Sequence, residues 1–292
     1  MTVSDTAPLS DLEAIAKKIR RDIIISTTEA GSGHPTSSLS AVELTVPLYF
    51  GGILRYDPMN PGWPERDRFI LSKGHAAPLL YALLAEAGYF PTDMLHTLRK
   101  MGSPLEGHPN MRRLPGVEAS TGSLGQGLSL GVGMALAARL DRRDSRIYVL
   151  VGDGEVEEGQ VWEAVMSGHK YRLDNLLAIV DQNGYQQTGP TSEVMDLRPL
   201  AEKFEAFGWF AQEIDGHDLG AVIGAYETAR QTKGRPSVII AYTKKGYPIS
   251  DIIHDPNHHG KPLTPEEAKK ALAYIDTYQP QLHRDKEQTL SS

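Results

Sequence analysis

Residues 146–184 constrain the fold more than any other stretch of this chain. Two apolar runs, RIYVLV (146–151) and LLAIVD (176–181), lie about thirty residues apart, with a helical pattern near 158–170 between them. That is the length and alternation of one strand–helix–strand unit. Such a unit joins parallel strands, and a parallel sheet has helices on both faces. Each run ends in a tight polar turn, Gly152-Asp153-Gly154 after the first and Gln182-Asn183-Gly184 after the second. Parallel strands put their carboxyl ends on one edge, where open α/β sheets bind ligands. Asp153 and Asn183 are therefore expected to be neighbours in space.

The alternation continues along the chain. Further strands are expected at 69–71, 209–214 and 237–242, with helices at 41–50, 77–87, 92–100, 127–140, 199–207 and 218–232. Ser10-Asp11-Leu12-Glu13 is a capping-box pattern that starts a first helix through Ile24, and Thr264-Pro265-Glu266-Glu267 caps a last one. Gly131, Gly133, Ala135, Ala137 and Ala138 allow helix 127–140 to pack closely, on its own sheet or on a partner. The Trp162/Val165/Met166/His169 stripe has helical spacing and reads as core or interface. The fold class is α/β, a mostly parallel sheet with helices on both faces. No repeat, low-complexity block or linker divides the 292 residues, so 1–280 read as one domain and 281–292 as a polar tail.

The two turns carry the chemistry. Their glycines let backbone approach a ligand closely. The stretch opening at Glu155 should present N–H groups suited to phosphate. Asp153 and Glu155 share that turn, however, and would repel a bare anion. A hard cation resolves the conflict. Magnesium takes oxygen ligands from one or two side chains plus phosphates and water, so Asp153, Asn183 and a diphosphate make a sensible shell. Ca²⁺ or Mn²⁺ could stand in for it. Gly152-x-Gly154-x-x-Glu157 lacks the third glycine of a dinucleotide fingerprint, and no Gly-Lys-Ser/Thr marks a Walker A loop.

Gly-Asp-Gly followed about thirty residues later by Asn resembles the signature of thiamine diphosphate enzymes, and GDGEVEEGQVWEA resembles transketolases more closely. SGHPTSS (32–38), LSKGHAAPLLYALLAEAGY (71–89), GHP (107–109), STGSLGQGLS (120–129) and HHGKPLT (258–264) agree, in the family's order and across nearly the whole chain. The resemblance implies a thiamine diphosphate-binding fold and transfer of a two-carbon ketol unit from a ketose phosphate to an aldose phosphate. It implies Mg²⁺ ligation by Asp153, Asn183 and the backbone carbonyl of Tyr185. It places Gly152, Gly154 and the Gly122-Ser123-Leu124 turn on the cofactor. His75 and His259 would lie by the diphosphate and the reacting centre, and His34 and His108 along the substrate channel. Glu158 matches a carboxylate at an interface between chains, near the cofactor. A full-length transketolase carries further domains, so this chain resembles the N-terminal subunit of a split enzyme. A partner chain with the pyrimidine-binding domain would supply the catalytic glutamate, in an α2β2 assembly. Thr36-Ser37-Ser38, Asn110 and His258 depart from the family's usual residues near substrate and leave the sugar open. Other donors are a 2-oxo acid, a sulfosugar or a branched-sugar phosphate.

His34, His75, His108 and His259 each sit in a Gly- or Pro-containing loop, none on an apolar helix face. Histidine can donate and accept protons near neutral pH, which suits hydroxyl chemistry. A zinc reading of His254, His258 and His259 is disfavoured, because Pro256 and Gly260 oppose the helix that such spacing needs. His96, His169 and His217 read as structural or surface residues, with His217 capping helix 218–232 beside Asp218. The chain has no cysteine, which excludes disulfides and thiolate sites. Its net charge of −7 offers no basic stripe for nucleic acid. No secretory signal or membrane-length apolar run is read, so the expected location is cytoplasmic. Two other readings are a non-catalytic cofactor-binding module and a nucleotide-dependent Rossmann enzyme.

Overall fold

The computed structural model describes residues 7–255 and 258–280. In chain order the elements are α1 (Leu9–Ala30), α2 (Pro35–Leu39), α3 (Val42–Phe50), β1 (Arg68–Leu71), α4 (Ala77–Glu86), α5 (Gln126–Leu140), β2 (Ile147–Gly152), α6 (Gly159–Lys170), β3 (Leu176–Gln182), α7 (Thr191–Val194), α8 (Leu200–Ala206), β4 (Phe210–Asp215), α9 (Leu219–Gln231), β5 (Ser237–Tyr242) and α10 (Pro265–Thr277). The five strands form one sheet in the order β1-β2-β3-β5-β4, and every pairing is parallel.

The sheet divides its side chains by the period of two. Tyr148, Leu150, Leu177, Ile179, Ile239 and Ala241 enter one core, covered by α1, α3, α4, α9 and α10. Val149, Val151, Ala178, Val180, Val238 and Ile240 enter the other, under α5, α6 and α8. Both faces are thus apolar, which is why the strands read as continuous apolar runs. Helix α5 packs on its own sheet: a Cβ at Gly131 would lie 2.6 Å from Val149 Cγ2. Gly133 meets nothing within 4 Å. Of the Trp162 stripe, Val165 is buried, Trp162 packs on Phe204 and Phe207, and Met166 is exposed.

Four expectations need correction. The capping box at Ser10 does not form: α1 begins at Leu9 after Pro8, and Ser10 Oγ donates to Asp11. Residues 92–97 are a 3-10 helix rather than part of an α-helix over 92–100. His34-Pro35 opens a short helix where a loop was expected, and Ser38 Oγ satisfies itself on the His34 carbonyl. Asp218 alone caps α9, accepting from Gly220 and Ala221 N–H, while His217 points into the interior. The capping box at Thr264 and Glu267 does form. The tail 281–292 and Pro256 lie outside the described residues. No described helix is long and apolar enough to cross a membrane.

Candidate active site

The register that pairs Gly152 with Asp181 puts the two polar turns side by side at the carboxyl edge. Asp153 Oδ2 accepts from Gly184 N–H at 2.7 Å and Oδ1 from Gly154 N–H at 2.9 Å. Gly184 has φ +78°, which glycine adopts without cost. Asn183 Oδ1 accepts from Tyr185 N–H at 3.1 Å, and its Nδ2 donates to Asp181 Oδ2 at 3.3 Å. That second bond fixes which end of the carboxamide is oxygen. The ring of Tyr185 stacks on His254 at 4.8 Å.

Around these turns lies a cavity of about 790 Å³. His34 enters it from the start of α2, His75 from the turn after β1, His108 and Gly122 from the loop before α5, and Lys245 and His259 from the loop after β5. The ring of His34 is 5.1 Å from that of His75 and 5.6 Å from that of His259, and His75 and His259 are 6.1 Å apart. A Cβ at Gly122, whose φ is +155°, would lie 3.0 Å from His108 Cγ. One at Gly74 would strike Thr121 and the Gly122 N–H within 2.8 Å. Close backbone approach therefore locks the His75 turn against the 121–125 turn. The four predicted histidines share one cavity with Gly152, Asp153, Gly154, Asn183, Tyr185, Gly122, Leu124 and Glu158. Ser123 is exposed beside it, and Glu158 packs on the 122–125 turn, where a Cβ at Gly125 would lie 2.9 Å from its own Cβ.

Glu155 is placed differently from expectation. It turns inward, 2% exposed, and accepts from Ser72 Oγ, Gly125 N–H (2.9 Å) and Gly152 N–H (3.1 Å). It pins the 121–125 turn and adds little repulsion toward the cavity. The helical N-terminus is also displaced. A 3-10 turn spans 154–157, α6 starts only at Gly159, and the Gly154 N–H is taken by Asp153 itself. An anion here would meet side chains and loop backbone, not a helix end.

Sequence reasoning passed over three polar residues. Lys73 is buried and paired with Asp181, which is fully buried and also accepts from Ser40 Oγ and Thr243 Oγ1. Lys245, 3% exposed, donates to Tyr185 O at 3.4 Å and to His259 Nδ1. Each lies at or just beyond the carboxyl end of a strand. Applying the edge rule to every strand, rather than to two, would have found them.

The electrostatics follow from burial. Burial, and next the Asp181 charge, push the Asp153 carboxyl up to about 7, against the pull of the Gly184 and Gly154 N–H groups. Burial lowers Lys245 to about 8, with Lys73 adding to the effect. Burial also lowers His34 to about 4, helped by Arg99 and His108, and lowers His259 to about 4, helped by Lys245. His75 is held well below 6.5 by burial and then by Lys73. For Asp181, burial works upward, but Lys73 and the hydroxyl donors outweigh it and keep the carboxyl low.

A buried carboxylate forced upward is a group short of a cation. No cluster of three His, Cys, Asp or Glu among the described residues could hold a metal by itself. The donors on offer are one carboxylate, one amide oxygen and a carbonyl, all hard oxygens. They fit a magnesium-type ion that completes its shell from a bound phosphate. His254, His258 and His259 do not converge: His254 lies on Tyr185, His258 Nδ1 on Asp255 at 2.8 Å, and His259 on Lys245.

The histidine shifts give a direct expectation. At pH 7 His34 and His259 are neutral, and they gain a proton only as pH falls toward 4. Their ring ¹³C resonances should titrate near that value. A midpoint near 6.5 for either would contradict the burial seen here. Adding an anionic diphosphate beside Lys73 and Lys245 should raise the His259 midpoint.

The family described as "Transketolase, thiamine diphosphate binding domain" matches residues 12–281. The chain is 46% identical to the 6-deoxy-6-sulfo-D-fructose transketolase subunit SqwG of Clostridium sp. (strain MSTE9), over 91% of this chain and 96% of that protein. It is 44% identical to an apulose-4-phosphate transketolase subunit of Actinobacillus succinogenes, over 90% of this chain and 95% of that protein. Against the transketolase of Rattus norvegicus it is 43% identical over 93% of its own length, but spans 43% of that protein. The solved transketolase from Leishmania mexicana superposes with a TM-score of 0.86 at 33% identity, over 92% of this chain and 42% of that one.

Proposed function

Because this chain belongs to the transketolase family, through its thiamine diphosphate-binding domain, we propose that it is the N-terminal subunit of a two-chain transketolase. It transfers a two-carbon ketol unit from a ketose phosphate to an aldose phosphate. The observation that carries this reading is the convergence of Asp153 and Asn183 at adjacent strand ends, inside a cavity walled by His34, His75, His108 and His259.

Asp153, Asn183 and the Tyr185 carbonyl hold Mg²⁺ in this reading. Gly152, Gly154, Gly122, Ser123, Leu124, Glu158, His75, His259 and also Lys245 face thiamine diphosphate. When bound, that cofactor supplies a nucleophilic thiazolium carbon and the electron sink for cleaving the bond beside a ketose carbonyl. The chain's own residues bind, orient and move protons. Neutral imidazoles each carry one donor and one acceptor nitrogen. His34, His75, His108 and His259 can therefore take hydrogen bonds from sugar hydroxyls and give them to a developing alkoxide. Lys73 and Asp181 hold the floor on which these groups stand.

Residues 1–280 are taken as one domain in a cytoplasmic α2β2 complex, completed by a partner chain with the pyrimidine-binding domain. The sugar has a second reading. Two relatives matched over nearly their whole length are named for 6-deoxy-6-sulfo-D-fructose and apulose 4-phosphate. A sulfosugar or a branched-sugar phosphate therefore stands beside the pentose phosphates as donor.

Reconstitution tests both points. The chain with a pyrimidine-domain partner, thiamine diphosphate and Mg²⁺ should transfer a ketol unit from at least one of xylulose 5-phosphate, 6-deoxy-6-sulfofructose or apulose 4-phosphate. The isolated chain should show no turnover. Turnover by the isolated chain would refute the split-enzyme reading, and turnover of 2-oxo acids alone would move the donor class.

A further inference from the structure

The loop that delivers Lys245 is pinned at residues 243, 244 and 246, on either side of the lysine, by parts of the chain far away in sequence. Thr243 Oγ1 donates to Asp181. The Lys244 N–H donates to His217 Nε2 at 2.8 Å. The Gly246 N–H donates to the Thr36 carbonyl at 3.1 Å, two residues beyond His34. Two of these partners adjoin the cavity, Asp181 through its pair with Lys73 and Thr36 beside Ser37. His217 does not. It lies between β4 and α9, buried, with its ring stacked on Tyr247 at 3.6 Å.

An imidazole that accepts at Nε2 must carry its proton on Nδ1. His217 Nδ1 faces Glu43 Oε2 at 3.2 Å, on α3. Glu43 is buried and is held by the equally buried Arg20 of α1, whose guanidinium also lies 5.7 Å over the Tyr247 ring. A chain of fixed groups thus runs from Arg20 through Glu43 and His217 to the Lys244 amide, one residue before the lysine in the cavity. Burial, then the Arg20 charge, keep His217 down to about 3, so the accepting nitrogen stays unprotonated at neutral pH.

We propose that His217 is a positioning residue of the cofactor cavity: its neutral ring, oriented by the Arg20–Glu43 pair, accepts the Lys244 amide proton and so sets the direction in which Lys245 enters the site. This rests on the reading of that cavity as the thiamine diphosphate site. A helix cap or a merely space-filling ring would need neither the acceptor nitrogen nor the buried pair behind it.

Two substitutions separate the roles. His217→Phe keeps the ring and its stacking but removes the acceptor. His217→Gln keeps an acceptor oxygen at similar reach. On the full chain without cofactor, amine-labelling of Lys245 followed by mass spectrometry should be slow in wild type and His217→Gln and fast in His217→Phe. With Mg²⁺, thiamine diphosphate affinity by calorimetry should fall roughly tenfold in His217→Phe, the scale of coupled neighbours. It should be largely kept in His217→Gln and should fall no further when Lys245→Met is already present. Equal labelling in the two His217 variants, or additive losses with Lys245→Met, would overturn the proposal. Should His217→Phe not fold, the wild-type ¹⁵N spectrum decides: the Nδ1–H tautomer of His217 is required, and the Nε2–H tautomer overturns it. If wild type together with its pyrimidine-domain partner binds no cofactor, the site reading fails, while labelling and tautomer still judge His217.

Discussion

Asp153→Ala should abolish the Mg²⁺-dependent part of thiamine diphosphate binding. Calorimetry should give the variant the same weak affinity with Mg²⁺ as with EDTA, a loss of at least about a hundredfold, or about 2.8 kcal/mol. The reason is the donor set. Asp153 is the buried carboxylate that lines the cavity with Asn183 and Tyr185 and faces the Gly184 turn, whereas Glu155 is tied to interior donors and Asp181 to Lys73. Removing it leaves two neutral oxygens for a divalent ion next to Lys73 and Lys245. The fold should survive. Asp153 is held up at about 7, far above its ordinary 3.8, so the stability tied to its protonated form is lost as pH rises through 7. At pH 8, without metal, the charge destabilises the chain, and Asp153→Ala removes that charge. The variant's Tm there should equal or exceed that of wild type. Unchanged Mg²⁺ dependence would remove Asp153 as a ligand.

Lys73→Met should be the most destabilising single change on the cavity floor. Lys73 and Asp181 are both buried, and Asp181 receives Ser40, Thr243 and Asn183 as further donors. Those donors satisfy hydrogen bonds but cannot neutralise the charge. Breaking a buried pair by removing one partner costs about 3–5 kcal/mol, a large share of the roughly 5–15 kcal/mol that holds a domain folded. Urea unfolding of the cofactor-free chain measures it. Lys73→Met with Asp181→Asn should recover much of the stability, because the stranded charge is gone. It should not recover cofactor affinity, since Asp181 also orients the Asn183 amide. A loss below about 1 kcal/mol in Lys73→Met, the scale of an exposed pair, would contradict the burial argument.

What the sequence made legible and what it hid have physical reasons. The unit from Ile147 to Gln182 was readable because strand, helix and strand differ in period and because parallel pairing forces both ends to one edge. Asp153 and Asn183 followed from that alone. Short elements without an apolar period were hidden. Helix α2 holds Pro35, Thr36, Ser37, Ser38 and Leu39, all buried, with a hydroxyl bonded back to backbone in place of an apolar stripe. The inward turn of Glu155 depends on donors from Gly125 and Ser72, which no local pattern reveals. Lys245 lies on a loop held by residues 36, 181 and 217, contacts that no local pattern reveals. At Ser10 a correct local motif lost to a helix that simply starts earlier.

The proposed function requires a divalent ion that joins the two strand ends to a diphosphate. A crystal of the chain with its partner, thiamine diphosphate and Mn²⁺, examined by anomalous scattering, would locate that ion. One manganese peak is expected within about 2.3 Å of Asp153, Asn183 Oδ1 and the Tyr185 carbonyl, bridged to the diphosphate with the oxygen ligation of a hard cation. Ordered cofactor in the cavity with no anomalous peak between those oxygens, or with the peak elsewhere, would contradict it.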